Sequence, residues 1–435
     1  GCTTPQARSN TVIVSLVLSV LLSASQPAPN VVIISIDTLR ADHLGMYGHP
    51  HDTSPNLDAW SEKALVFDDM LTEIPLTSPA FCAMMSSLHP RITGATRNGL
   101  RLPDEVQTVA QVFQGAGYET LCVTSNWTLK APLSGLDRGF DVYDDNFHKK
   151  RWGFLKSERY ADAVTRLSLR LLEKRDAEKP LFAWFHYSDP HAPYKKHRRH
   201  TVSKKSDYPD GKGAKIKVRY DSEIHFADAE IQKVLAQLPQ ENTYVIFLAD
   251  HGESLWEHGY LGHGRRIYQT GLHVPLAISG PGIEAGRSKV PVRGIDLAPT
   301  LLGLAGLPVP KVMRGQDVLN DTIALDRARV METYGGAVPN LAVTKSLMAG
   351  ADAQREAVVL EGWKLILGGD TDELYHIAED PLETQNILTH HPEKAAQLKH
   401  IIQEWDASTP RNLDNDATLS DDDIEALDAL GYTGE

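Results

Sequence analysis

The 435-residue chain is 42% hydrophobic and 23% charged, the balance of a globular protein, which excludes wholesale disorder. Its formal net charge of −13 argues against a general nucleic-acid or membrane-surface binder. A chain this long can bury one large core and carry a smaller companion module.

The first ten residues, GCTTPQARSN, carry one Arg and lead into the apolar run TVIVSLVLSVLLSA. Fourteen residues of helix span roughly 21 Å, short of the ~30 Å hydrocarbon core, and small residues follow. Residues 1–25 therefore read as an export signal, with a retained short anchor helix as the alternative, a periplasmic or secreted location and no stable membrane insertion expected.

Four apolar runs follow, each ending in residues able to hold a metal or a phosphate. VVIISI runs into Asp37, TLCVTS into Asn126, LFAWFHYS into Asp189 and His191, and TYVIFLA into Asp250 and His251. Such runs read as buried strands of a parallel sheet, and open α/β sheets bind ligands beyond the carboxyl ends of their strands. These residues are expected to converge. Between them TVAQVFQGAG, RYADAVTRLSLRLLEKR and DSEIHFADAEIQKVLAQL carry apolar residues at helical spacing. Strand and helix in alternation predict a doubly wound α/β domain over residues 27–350, with a mixed, mostly parallel sheet and helices on both faces. From about Arg355 the pattern changes to AVVLEGWKLILGG, DELYHI and the helix PEKAAQLKHIIQEW, which predicts a small antiparallel sheet and helix over 351–410. An acidic tail, 411–435, follows.

TSPAF places Thr77 at a turn just before the helix-like CAMMSSL. A hydroxyl at a helix N-terminus, beside a cation held by carboxylate and imidazole, suits nucleophilic phosphoryl or sulfuryl transfer, so Thr77 is the nucleophile candidate. Cys82 and Cys122 can form a disulfide in an exported protein or remain two buried thiols. The segment Lys195–Arg219 holds ten Lys or Arg against two Asp, and reads either as a basic loop that gathers anionic substrate or as a solvated loop.

SIDTLRADHLGMYG, TSPAF with HPRITG, YSDPHAPY, ADHGESLWEHGYLGHG, VPLAISGPG and GIDLAPTLLGLAG follow one another in an order that resembles the sulfatase branch of the alkaline-phosphatase superfamily. The resemblance covers nearly everything after residue 29. It implies an alkaline-phosphatase-like fold and one divalent cation held by Asp37, Asp250 and His251, with Thr77 completing the set. Sulfatases carry Cys or Ser where this chain has Thr77, and convert it to formylglycine; Thr cannot yield that aldehyde, so no formylglycine is expected. The Arg of the sulfatase motif is Phe81 here. The Lys and His of the sulfatase G-K-W-H-L-G become Asn126 and Thr128. One carboxylate fewer and one imidazole more in the ligand set favour zinc, with manganese or calcium as alternatives. Thr77, the Asp-His pair and His263 resemble the phosphodiesterase and phosphoethanolamine-transferase relatives. His191, His263 and Asn126 can each donate a hydrogen bond to a non-bridging oxygen, His191 or His263 can also protonate the leaving oxygen, and Lys130 is a further substrate-contact candidate. Asp189, Glu253 and His258 are secondary candidates, and Asp189 could join His191 and His263 around a second ion.

The expected function is an exported metal-dependent hydrolase that cleaves a phosphodiester or phosphonate monoester through a phosphothreonine on Thr77. Its substrate is a small-molecule or polymeric anionic ester. A sulfatase working without formylglycine, a phosphoethanolamine-type transferase and a non-catalytic binding protein are the competing readings.

Overall fold

In the computed structural model, residue 1 and residues 27–146, 158–208, 211–335 and 354–412 are described. The expected export signal (Gly1 apart) and the acidic tail from residue 413 lie outside them. Among the described residues, no helix is long and apolar enough to cross a membrane.

The fold is built on β1 (Asn30–Ile36), whose seven residues are all buried. Strand order follows from hydrophobic demand: a strand apolar on both sides needs a neighbour at each edge and helices on each face. The large sheet contains β1, β2 (Leu65–Leu71), β3 (Glu119–Val123), β4 (Val142–Asp144), β5 (Leu181–Tyr187) and β6 (Thr243–Ala249). A two-stranded ribbon of β7 (Ser254–Leu255) and β8 (Leu261–Gly262) follows. Then β9 (His273–Ser279), β10 (Gly286–Ser288) and β11 (Val292–Arg293) complete the large sheet, in the order β10-β2-β9-β6-β1-β5-β3-β4 with β11 also on β2. β1 pairs in parallel with β5 on one side and β6 on the other, and the antiparallel β9 makes the sheet mixed. The mostly parallel, doubly wound expectation holds.

Register decides where the chemistry goes. Ile36 is level with Tyr187 on β5 and with Ala249 on β6. The next residue on each strand is therefore Asp37, Ser188 and Asp250, so three chain exits open side by side at one sheet edge.

The small sheet is antiparallel, in the order β12 (Arg329–Tyr334), β13 (Gln354–Leu360), β14 (Trp363–Leu367), β15 (Glu373–His376), and the helix Pro392–Ser408 packs on it. Its first strand precedes residue 351, so the module starts earlier in the chain than expected. RVMETY escaped notice because its partner, β13, comes only after a long intervening stretch.

Among the contacts that join this module to the large domain, one buried side chain binds three of its acids. Arg91, from the HPRITG motif, is 1% exposed and donates to both carboxylate oxygens of Glu332 on β12, to Glu356 on β13 at 3.2 Å, and to Asp406 at 2.5 Å. Its guanidinium also lies 3.9 Å from the centre of the Trp405 ring. Removing one partner of a buried, forked ion network leaves the remaining charges unpaired, at a cost of ~3–5 kcal/mol. Arg91→Ala is expected to lower the urea-unfolding free energy by that amount; a change below about 1 kcal/mol would show that the clamp does not hold the module.

Candidate active site

Each strand exit contributes one arm. The Asp37 amide donates to Tyr187 O at 2.8 Å, holding the β1 exit against β5. The following Thr38 adopts φ +56°, a conformation unfavourable for a branched residue, and its amide donates to Asp250 Oδ1 at 3.2 Å. The same oxygen accepts from the His251 amide at 2.9 Å. With Oδ1 held by two backbone donors, Asp250 Oδ2 is buried without a hydrogen-bond partner.

Thr77 opens the helix Thr77–Ser86, all ten residues of which are buried. Its Oγ1 lies 3.4 Å from Asp37 Oδ1 and 3.3 Å from His251 Nε2. His251 Nδ1 is 2.9 Å from Gly252 O, and since a carbonyl only accepts, the ring proton sits on Nδ1 and the Nε2 lone pair faces inward. Nε2 is 3.7 Å from Asp37 Oδ1 and 3.4 Å from Asp250 Oδ2. Ligand atoms of Asp37, Asp250 and His251 all lie within 4.8 Å of one another.

These groups form a fully buried set of acceptors, and burying carboxylates side by side is costly. Desolvation first, and then Asp250, raise the pKa of Asp37 to about 7. Desolvation likewise raises Asp250 to about 7. Desolvation first, and then His263, hold His251 down at about 3, so its ring stays neutral. Two carboxylates and a neutral imidazole around one unpartnered carboxylate oxygen fit a divalent cation, and the oxygen and nitrogen donors suit zinc.

Around this centre stand three further arms. Asn126 donates its amide to Asp37 Oδ2, and its own oxygen is held by the Thr128 amide and hydroxyl, each at 3.0 Å. Its donor is therefore turned onto the carboxylate. His191 Nδ1 lies 2.6 Å from Glu158 Oε1. Burial by itself would lower the pKa of His191, but Glu158 and then Asp37 outweigh it and raise the imidazole to about 10. His263 Nδ1 is 3.1 Å from Glu253 Oε1, and its ring centre is 4.5 Å from that of His251 and 5.3 Å from that of His191. The sequence candidates Asp37, Thr77, Asn126, His191, Asp250, His251, Glu253 and His263 thus converge.

Others go elsewhere. Asp189 Oδ2 accepts from the Ala161 amide at 2.8 Å at the start of the helix Ala161–Lys174, and Asp189 clusters with His197 and Glu223, so it does not join His191 and His263 around a second ion. The Lys130 ammonium sits 4.1 Å from the centre of the Trp127 ring. His258 stacks on Tyr268 at 3.6 Å and reaches Leu382 O at 2.9 Å, at the small module. Phe81 is core, 4.7 Å from Trp184 and 5.2 Å from His186, ring centre to ring centre. Cys82 and Cys122 are free and buried. Near the end of the basic segment, at Ala214, the helix Ala214–Leu235 begins, so Lys215, Lys217 and Arg219 are helical rather than loop.

Two contributors escaped the sequence reading. Glu158 reaches the site through an isolated bridge to Asn126, a pairing with no local signature. His186 lies under Asp37, Nε2 to Oδ2 3.9 Å, with Nδ1 2.9 Å from Ser125 Oγ. A polar residue inside LFAWFHYS was the available sign.

The family model described as Sulfatase matches residues 29–307, and that described as N-sulphoglucosamine sulphohydrolase, C-terminal, matches residues 256–407. An ulvan-active sulfatase of Formosa agariphila is 26% identical over 363 residues, covering 72% of this chain and 70% of that protein. A Delta 4,5-hexuronate-2-O-sulfatase of Bacteroides thetaiotaomicron is 24% identical, covering 93% and 92%. The crystal structure of the phosphonate monoester hydrolase of Agrobacterium radiobacter superposes with a TM-score of 0.71 at 19% identity, covering 88% and 96%.

With Asp37 and Asp250 both raised to about 7, the cation-free site holds protons below that pH and surrenders them to bind a cation. Zinc affinity measured by competition with a chelator should fall by roughly tenfold per pH unit for each proton displaced as the pH drops from 7 to 5. A flat profile would contradict this ligand assignment.

Proposed function

The chain belongs to the sulfatase family, and from that premise we propose that it is a metal-dependent hydrolase that cleaves a phosphodiester or phosphonate monoester through a covalent intermediate on Thr77. The observation that carries the reading is the position of Thr77 Oγ1, whose single proton faces two acceptors, Asp37 Oδ1 and His251 Nε2. Asp37, Asp250 and His251 would hold the cation, which when bound lowers the pKa of the threonine hydroxyl and withdraws charge from the ester.

The chain's own groups supply the remaining steps. Thr77 oxygen, its hydroxyl proton released to solvent, bonds to phosphorus in line as the ester oxygen–phosphorus bond breaks. His191, protonated at neutral pH beside Glu158, gives its proton to the departing alcohol. Water then attacks phosphorus, the threonine oxygen–phosphorus bond breaks, and that oxygen recovers a proton. Asn126 holds Asp37 in the orientation that faces Thr77.

Two features favour a less charged substrate than a dianionic monoester. Phe81 stands where the sulfatase motif has Arg, and it is packed against Trp184 and His186. Asn126 and Thr128 stand where that family has Lys and His, and both are bound to one another. One imidazolium, His191, supplies cationic charge. Export to the periplasm or outside the cell, and a polymeric anionic ester as substrate, belong to the same proposal.

A sulfate ester is the second reading, favoured by the similarity to the ulvan-active and hexuronate sulfatases. It would proceed through the same oxygen without an aldehyde. Aryl phosphate monoester, phosphodiester, phosphonate and sulfate substrates separate the two: the proposal expects the diester or phosphonate to have the highest kcat/KM. Highest turnover of the sulfate would transfer the assignment to sulfuryl chemistry. Thr77→Ala should remove at least ~99% of activity towards the preferred substrate. Glu158→Gln should move the alkaline limb of the pH–rate profile to lower pH by about 1–3 units, because the charge that raises His191 is gone. An unmoved limb would remove His191 from the acid role.

A further inference from the structure

Outside the catalytic cluster, His43, His49 and Asp221 bring three ligand atoms within 4.8 Å of one another in the interior. Local structure sets them. His43 closes the turn Ala41–His43, and Leu44 O accepts from both the Tyr47 amide at 3.0 Å and the His49 amide at 3.1 Å. Gly48, at φ +90°, turns the chain back in a conformation that favours glycine, so the His49 ring stacks on His43 with centres 4.8 Å apart. Asp221 comes from the helix Ala214–Leu235 and is fully buried.

Hydrogen bonding fixes what each atom offers. Asp221 Oδ2 accepts from the hydroxyls of Ser203 and Tyr208. Its other oxygen, Oδ1, accepts from His43 Nδ1 at 2.9 Å, a proton that a bound cation would displace, and lies 3.9 Å from His49 Nε2. His49 Nδ1 is 2.9 Å from Asp42 O, which can only accept, so the ring proton is on Nδ1 and Nε2 presents a lone pair. That side chain is 5% exposed, and Nε2 has no hydrogen-bond partner. Burial disfavours a second proton on the ring. A lone pair therefore faces a carboxylate oxygen, an arrangement that a cation between them would satisfy.

We propose that His43 Nδ1, His49 Nε2 and Asp221 Oδ1 bind a second divalent cation of the zinc class. Two imidazoles and a carboxylate match zinc by donor type, and the hydroxyls on Oδ2 orient the carboxylate from behind. This ion is a brace. Tyr220, next to Asp221, packs edge-on against His43 at 4.9 Å, donates to Thr38 O at 2.6 Å and accepts from the Arg40 amide at 2.9 Å. The cation would thereby tie the long helix to the turn that starts at Asp37.

The test is metal content of the full chain after stripping, loading with zinc chloride and desalting. Wild type is expected to retain two zinc ions per chain, His49→Gln one and Asp250→Asn one. Equal zinc content in wild type and His49→Gln overturns the proposal, whereas failure of the catalytic site would appear in Asp250→Asn alone. Crystals of zinc-loaded wild type give a reading that needs no variant. An anomalous peak at the zinc edge about 2.0–2.2 Å from His49 Nε2 and Asp221 Oδ1 supports the site, and its absence refutes it.

Discussion

Two carboxylates and an imidazole lone pair are buried around a single threonine oxygen, and the surrounding protein supplies too few donors to balance them. Asp37 receives the Asn126 amide and Asp250 receives two backbone amides, yet Asp250 Oδ2 has no partner and both acids are raised to about 7. A folded protein carries such a defect only when something compensates it, and here a divalent cation would do so. The rest of the architecture reads as support for that arrangement. The parallel register of β1 with β5 and β6 brings three exits level, the strained Thr38 turns its amide onto Asp250, and the buried helix behind Thr77 fixes the oxygen.

A second tier tunes the charge. Glu158 keeps His191 protonated, while burial keeps His186 neutral at about 3 beneath Asp37. The site thus contains imidazoles in opposite states within a few ångströms, one able to give a proton and the others able to accept a hydrogen bond or a cation. Environment rather than residue type sets those roles.

Much of this arrangement was legible in the sequence because parallel strands have a simple grammar: an apolar run buried on both faces, then a ligand where the run ends. Asp37, Asn126, His191, Asp250 and His251 obey it. The residues that escaped are those whose partners are set by tertiary pairing. Glu158 meets His191 through a single bridge, and β12 meets β13 only across a long stretch of chain. Asp189 misled because its position after β5 suits a ligand, whereas its oxygen is taken by the Ala161 amide. His258 misled because proximity to a motif does not determine which way a side chain turns; it found the Tyr268 ring and Leu382 instead. The HPRITG motif, one of those that carry the resemblance in the sequence, supplies Arg91, a clamp on the small module.

The central claim is that the Thr77 oxygen forms the covalent bond. Acid-quenched enzyme, caught during turnover of an aryl phosphonate and digested, is the direct test by mass spectrometry. The account predicts a peptide heavier by the transferred phosphonyl group, with the added mass localised to Thr77. Turnover with Thr77 unmodified, or with the group found on another residue, would contradict it.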